Sequence, residues 1–111
     1  MIYGYDRIKE DAEQFREFKI EMLKKHGAEK IFIDEKEFAN GLYINRPKLQ
    51  ELISILKEGD VILVSSPERL ARGFKPYYKL LKIFAEKKVS LMTFTDAIDV
   101  KFTLDLFSSI K

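Results

Sequence analysis

The 111-residue chain contains no cysteine and no tryptophan, and it has only three prolines, five glycines and one histidine. The absence of cysteine excludes a disulfide framework and a thiolate metal site. The lone histidine, His26, follows a predicted helix and is expected to interact with its dipole rather than with a metal. No apolar run is long enough to cross a bilayer, and charges begin at Asp6, unlike in a signal peptide. These absences predict a cytoplasmic protein without a membrane partner.

The net charge of +2 is too small to indicate nucleic-acid binding by itself, so an anion site must come from local clustering. Arginine is scarce beside lysine, yet the segment Ser66–Arg72 (SPERLAR) holds both Arg69 and Arg72 directly after an apolar run. Residues at i and i+3 share a helical face, and each guanidinium offers a fork of donors that matches phosphate oxygens. The segment therefore predicts a phosphate site, with an ordinary surface helix as the alternative.

Apolar runs alternate with amphipathic stretches along the chain, which is typical of an α/β domain. Strands are expected at 2–5, 30–34, 61–64 and 89–94, and helices at 11–25, 47–57, 76–87 and 102–111. The segment 35–45 is expected to be a loop, and 96–100 a short fifth strand or a loop. The predicted fold class is a three-layer α/β domain with a mainly parallel sheet of four to five strands flanked by helices.

Four short motifs occur in a characteristic order. They are G-Y-x-R at Gly4–Arg7, N-R-P-x-L at Asn45–Leu49, E-G-D-V-I-L-V at Glu58–Val64 and E-R-L-x-R at Glu68–Arg72. In this order and spacing they resemble the catalytic domain of the serine recombinases, the resolvase/invertase family. The resemblance extends over nearly the whole chain. It implies a resolvase-like fold, site-specific DNA recombination without a cofactor, and DNA as the partner.

The resemblance also implies a set of site residues. The arginines that would hold the scissile phosphate are Arg7, Arg46, Arg69 and Arg72. Two acids, Asp34 and Glu68, would organise the site around them. Other readings remain open. Arg7 could pair with Asp6, Asp34 or Glu68. Asp34 could cap a turn, and Glu68 could stabilise the first turn of its helix.

One position departs from the family pattern. The family's nucleophile is a serine two residues after the first arginine, but this chain has Lys9 there, and no Ser, Thr or Cys occurs before Ser54. An ammonium is a poor nucleophile at neutral pH, so Lys9 is expected to contact phosphate as a point charge or to serve solubility. Ser65 and Ser66 are expected to cap a helix that begins at Pro67. The sequence thus predicts a recombinase catalytic domain that is inactive if the serine is indispensable. The alternative is a non-catalytic relative that binds DNA phosphate or a recombinase partner as a regulator.

The last segment, 102–111, has the apolar spacing of a helix. In the family this region begins a long helix that makes the dimer and leads to a separate helix-turn-helix domain, and 111 residues leave room for neither. We therefore expect one resolvase-like domain over 1–111, and a homo-oligomer through the C-terminal helix where that helix is complete. A third class of function is a small α/β module that binds a phosphorylated metabolite. It is disfavoured because the sequence has no glycine-rich phosphate loop.

Overall fold

The computed structural model describes residues 1–8, 13–35, 46–71 and 73–108. In chain order the elements are β1 (Ile2–Arg7), α1 (Glu13–Lys25), β2 (Lys30–Asp34), α2 (Pro47–Ile55), β3 (Val61–Leu63), a 3₁₀ turn (Pro67–Arg69), α3 (Phe74–Lys87), β4 (Ser90–Met92), β5 (Ala97–Ile98) and α4 (Val100–Ser108). This order confirms the predicted α/β fold. Of the expected elements, the loop at 36–45 and the end of the last helix at 109–111 lie outside the described residues.

The strands form one sheet in the order β2-β1-β3-β4-β5. The first four strands pair in parallel, and β5 pairs with β4 antiparallel. Parallel neighbours end at a common edge, and open α/β sheets bind their ligands at that carboxyl edge. Arg7 at the end of β1 is in register with Asp34 at the end of β2, and the 3₁₀ turn follows β3. The topology therefore gathers the candidate residues at one edge.

The residues of β1 alternate between the two faces of the sheet. Tyr3 and Tyr5 belong to the main hydrophobic cluster, which also contains the buried leucines of α2 and α3. Gly4 faces α1, where a Cβ atom would lie 3.0 Å from the Cβ of Ala28 and 3.4 Å from that of Leu23. This close approach requires glycine. Helix α1 thus covers one face and α2 with α3 the other, which makes the three predicted layers.

Several boundaries differ from those predicted. Strand β1 continues to Arg7 because residues 3–7 pair with the whole of β2. The arginine-bearing segment after β3 begins at Pro67 as predicted, but it forms a 3₁₀ turn rather than an α-helical one. Helix α3 begins at Phe74 rather than at Pro76, since Gly73 turns the chain with φ 89°. Pro76 then lies in the first turn, where no N–H is needed for an intrahelical bond.

The helices within the described ranges are all too short or too polar to span a bilayer.

Helix α2 also ends earlier than predicted, at Ile55. Strand β4 is shorter than predicted and covers Ser90–Met92. The two-residue β5 confirms the strand alternative for the segment that follows β4.

Helix α3 is closed by a residue in the left-handed conformation, Lys88, with φ 58° and ψ 45°. Its N–H donates to the Ala85 carbonyl at 3.1 Å, and the Val89 N–H donates to the Phe84 carbonyl at 3.0 Å. Glycine is favoured at such a position, because an L-residue there costs about 1–2 kcal/mol. We expect Lys88→Gly to raise the free energy of unfolding by about 0.5–1 kcal/mol, after allowing for the chain entropy that glycine loses on folding.

The matched control is Lys87→Gly, which places the same residue one position earlier, at the last helical residue. It should lower the free energy of unfolding by about 0.5 kcal/mol, less than the penalty in a helix interior. Urea denaturation measures both variants. Equal destabilisation by the two substitutions would contradict the left-handed assignment of Lys88.

Candidate functional site

Two buried arginines hold the 3₁₀ turn at the carboxyl edge of the sheet. Arg7 and Arg46 are only 4% and 1% exposed. The Nη2 of Arg7 donates to the Glu68 carbonyl at 2.6 Å. The Nη1 of Arg46 donates to the Arg69 carbonyl at 3.2 Å, and its Nη2 donates to the Leu70 carbonyl. Three consecutive carbonyls of the turn therefore each accept a hydrogen bond from a guanidinium.

A second network fixes Arg46 from the other side. The Tyr5 hydroxyl accepts from Nη1 of Arg46 at 3.3 Å and donates to Oδ2 of Asp34 at 2.8 Å. The Asp34 carboxylate in turn accepts the N–H groups of Lys48 at 2.9 Å and Leu49 at 3.0 Å. These are free donors of the first turn of α2, so the carboxylate caps that helix from β2. Asp34 thus joins a strand end, a helix start and the tyrosine.

Tyr5 is a site residue that sequence reasoning missed. Burial raises the pKa of its hydroxyl far above the ordinary value, the Arg46 guanidinium opposes this rise, and the Asp34 carboxylate adds to it. The hydroxyl therefore stays protonated and can serve as both donor and acceptor. The signal was available in the sequence, since Tyr5 precedes Arg7 by two positions and so lies on the same face of β1.

Arg69 is the most exposed of the three candidate arginines that the structure describes. Its side chain is 37% exposed, and its Nε lies 3.6 Å from Oδ1 of Asp6. The Asp6 carboxylate is 2% exposed and also lies 3.5 Å from the Nζ of Lys19. Asp6 entered the sequence argument only as a possible partner of Arg7. The structure instead places it between Lys19 and Arg69, on the α1 face of the sheet.

A cleft of about 250 Å³ opens beside this ion group. Lys19 and Arg69 line its polar side together with Asp6, and Phe15, Phe18 and other apolar side chains line the rest. Phe15 and Phe18 are 38% and 58% exposed, so solvent reaches these aromatic walls. The cleft brings two cations to the carboxyl edge of the sheet, which is suited to an anion.

The remaining predicted residues are placed as follows. Glu68 is exposed and contributes its backbone carbonyl to Arg7, while its carboxylate lies at the surface of the turn. Lys9 and Arg72 lie outside the described residues. The structure therefore brings together five of the seven predicted residues, which are Arg7, Arg46, Arg69, Asp34 and Glu68.

Comparison with known proteins gives a consistent result. The family described as "Resolvase, N terminal domain" matches residues 2–110. The transposon Tn917 resolvase of Enterococcus faecalis is 31% identical over 107 residues, which are 96% of this chain and 56% of that protein. A DNA-invertase of Enterobacteria phage P7 is 28% identical over 107 residues, 96% of this chain and 55% of its own. The chain thus spans a little over half the length of these curated relatives.

A solved structure shows the same fold. The crystal structure of the N-terminal catalytic domain of TP901-1 integrase superposes with a TM-score of 0.77 at 21% identity. The superposition covers 98% of this chain and 92% of the other. It supports the layered α/β architecture and the arrangement of the five strands.

The hydrogen bonds from Arg7 and Arg46 to the carbonyls of the 3₁₀ turn form a clamp on that turn. Replacement of Arg46 tests this clamp. Arg46→Ala removes a buried charged donor and leaves two carbonyls and the Tyr5 hydroxyl without it. We expect a loss of about 3 kcal/mol in the free energy of unfolding. Arg46→Lys should lose less, but it cannot reproduce a fork that reaches two carbonyls. Chemical denaturation gives both values.

The matched control is Lys48→Ala, two residues along the chain, because Lys48 and its partner Glu51 are each 55% exposed. Its effect should stay within about 0.5 kcal/mol. A loss below about 1 kcal/mol for Arg46→Ala would show that the turn does not depend on the clamp.

Proposed function

Since the chain belongs to the resolvase N-terminal domain family of serine recombinases, we propose that it acts in site-specific DNA recombination by holding a DNA phosphate. The observation that carries the proposal is the partly exposed side chain of Arg69 on a turn clamped by Arg7 and Arg46. A guanidinium recognises phosphate oxygens through its fork of donors. A preorganised cation also stabilises the charge that develops on a phosphate under attack.

The arginines take different roles in this proposal. Arg69 meets the phosphate directly, because part of its side chain already faces solvent. Arg7 and Arg46 hold the turn in the unliganded chain and reach phosphate only if the Glu68–Leu70 carbonyls release them. Arg72 joins Arg69 as the family motif implies. Glu68 stays at the rim, where its carboxylate positions a neighbouring arginine.

Cleavage requires a nucleophile in addition to the cations. In the family a serine oxygen attacks phosphorus, a phosphoserine bond forms, and a DNA oxygen leaves. The sequence places Lys9 at that position, and an ammonium nitrogen carries no free electron pair for attack. We therefore propose that the chain retains the electrostatic part of the site and lacks the nucleophilic part. Integration, inversion and resolution of mobile elements are the recombination reactions in which such a domain takes part.

The second candidate function is regulation by a non-catalytic relative. Phe102 is 63% exposed and Leu106 is 48% exposed on α4. Apolar side chains at this exposure favour contact with another protein. In this reading the chain binds DNA phosphate or a recombinase subunit through α4, and self-association through the same helix accounts for a homo-oligomer. Both readings place the protein with DNA in the cytoplasm.

Salt-dependent DNA binding tests the phosphate site. We expect binding of a short labelled duplex to weaken as salt rises, because bound counter-ions are released. Arg69→Ala should reduce the slope of log K against log salt by about 0.9, the contribution of one phosphate contact. Lys57→Ala is the control, since this exposed lysine precedes β3 at the opposite edge of the sheet. Fluorescence anisotropy gives the slopes. Equal slopes for the two variants would show that Arg69 does not contact DNA phosphate.

Covalent chemistry is tested separately. We expect no SDS-resistant protein–DNA adduct from the chain, because the attacking hydroxyl is absent at Lys9. Lys9→Ser is also expected to form none unaided, since the chain spans little more than half of its curated relatives. Lys57→Ser controls for a hydroxyl added elsewhere. An adduct from Lys9→Ser alone would show that the pocket needs only its nucleophile, and an adduct from the unaltered chain would contradict the proposed loss.

A further inference from the structure

The buried carboxylate of Asp6 draws together cations from two other elements. It lies near the end of β1 and is 2% exposed. Lys19 of α1 approaches Oδ2 at 3.5 Å, and Arg69 of the 3₁₀ turn approaches Oδ1 at 3.6 Å. A buried charge is tolerated only when it is paired. Asp6 is therefore the counter-ion of the one candidate arginine that is most open to solvent.

These two ion pairs are loose. Both distances exceed the roughly 2.7–2.9 Å of a charge-assisted hydrogen bond. The Nε of Arg69 is buried and has no hydrogen-bond partner within the described ranges. The Oδ1 of Asp6 already accepts the Arg7 N–H at 2.8 Å. The charge of Asp6 therefore attracts Arg69, but no hydrogen bond fixes the two groups in one geometry. A side chain held in this way can exchange one anionic partner for another.

The cleft lets a competing anion reach Lys19 and Arg69. Lys19 and Arg69 both line it, and it offers about 250 Å³ beside them. This volume is several times the roughly 30 Å³ of a water molecule, so a phosphate group can enter. The three charges sum to +1, because Asp6 cancels one of the two cations. Replacing the carboxylate by a phosphate keeps both cations paired. Asp6 then keeps the Arg7 N–H as a hydrogen-bond donor but loses both counter-ions, and this cost opposes the exchange.

We propose that Asp6 is an internal counter-ion that competes with DNA phosphate for Arg69 and Lys19. In the unliganded chain both cations rest on Asp6, and a phosphate that enters the cleft takes them over. Lys19 thereby becomes a second DNA contact beside Arg69. The inference rests on the proposed function and adds a regulatory element to the same site. It predicts that this chain binds DNA more weakly than its arginines alone would allow.

Asp6→Asn tests the competition, because an asparagine oxygen can still accept the Arg7 N–H while the charge is lost. We expect the affinity for a short duplex at low salt to rise about three- to tenfold, and the log–log salt slope to steepen by about 0.9 for each released cation. Glu58→Gln makes the same charge change on an exposed residue at the opposite edge and should alter neither value appreciably. In an Arg69→Gln background the gain from Asp6→Asn should fall by half or more.

A gain from Asp6→Asn no larger than that from Glu58→Gln would overturn the proposal. So would a gain that persists unchanged in the Arg69→Gln background, because the released cation would then be another one. Thermal melting confirms that each variant is folded before its binding is compared.

A titration of the unaltered chain gives a second test that needs no variant to fold. Inorganic phosphate is added first and duplex DNA second, while NMR follows the Arg69 Nε–Hε signal and the Asp6 carboxyl carbon. The proposal requires both signals to shift with one midpoint, since one ion pair opens. Movement of Arg69 with a stationary Asp6, or no movement of either with phosphate, would overturn it. Shared movement with phosphate but none with DNA would uphold the exchange and reject the DNA function.

Discussion

The structure depends on the need of buried guanidiniums for acceptors. Arg46 is almost completely buried, and its two terminal nitrogens donate to two backbone carbonyls and a tyrosine hydroxyl. Its buried Nε has no hydrogen-bond partner among the described residues. Arg7 meets the carbonyl just before these two. A segment that is too short for a regular helix is thereby bonded to two buried side chains. The partly exposed Arg69 lies on this segment, so the position of its backbone is set by arginines that are themselves buried.

The acid that supports the clamp also sets the start of a helix. Asp34 accepts two N–H groups at the beginning of α2 and the hydroxyl of Tyr5. One carboxylate thus fixes the first turn of α2, which follows Arg46 directly, and the hydroxyl that Arg46 contacts. Asp6 works differently, because its side-chain partners Lys19 and Arg69 lie 3.5 Å and 3.6 Å away. The carboxyl edge of the sheet therefore has two buried acids on opposite faces of β1. Asp34 is held by short hydrogen bonds, and Asp6 is loosely paired with its cations.

Much of the architecture follows from local pattern. The apolar run at β3 and the proline starts at Pro47 and Pro67 predict elements that the structure contains. The site residues followed from motif order, and five of them meet at one edge. The bonding within that edge did not follow, because its partners are far apart in sequence: Arg7 and Glu68 are separated by 61 positions, and Arg46 and Arg69 by 23. Every residue has a backbone carbonyl, so no residue type marks these acceptors. The burial of both arginines could therefore not be predicted from the sequence. The roles assigned to Lys9 and Arg72 stay predictions.

The position of β1 between β2 and β3 governs when the site can form. Both of its neighbours, β2 and β3, come later in the chain, and the clamp closes on carbonyls that come later still. Such distant contacts form slowly, because the intervening chain must be ordered before they contribute. A growing polypeptide that has emerged only as far as α2 holds both clamping arginines but none of their carbonyl acceptors. During synthesis the clamp must therefore wait until more than half of the domain has emerged, and until then both guanidiniums donate to water instead of to carbonyls.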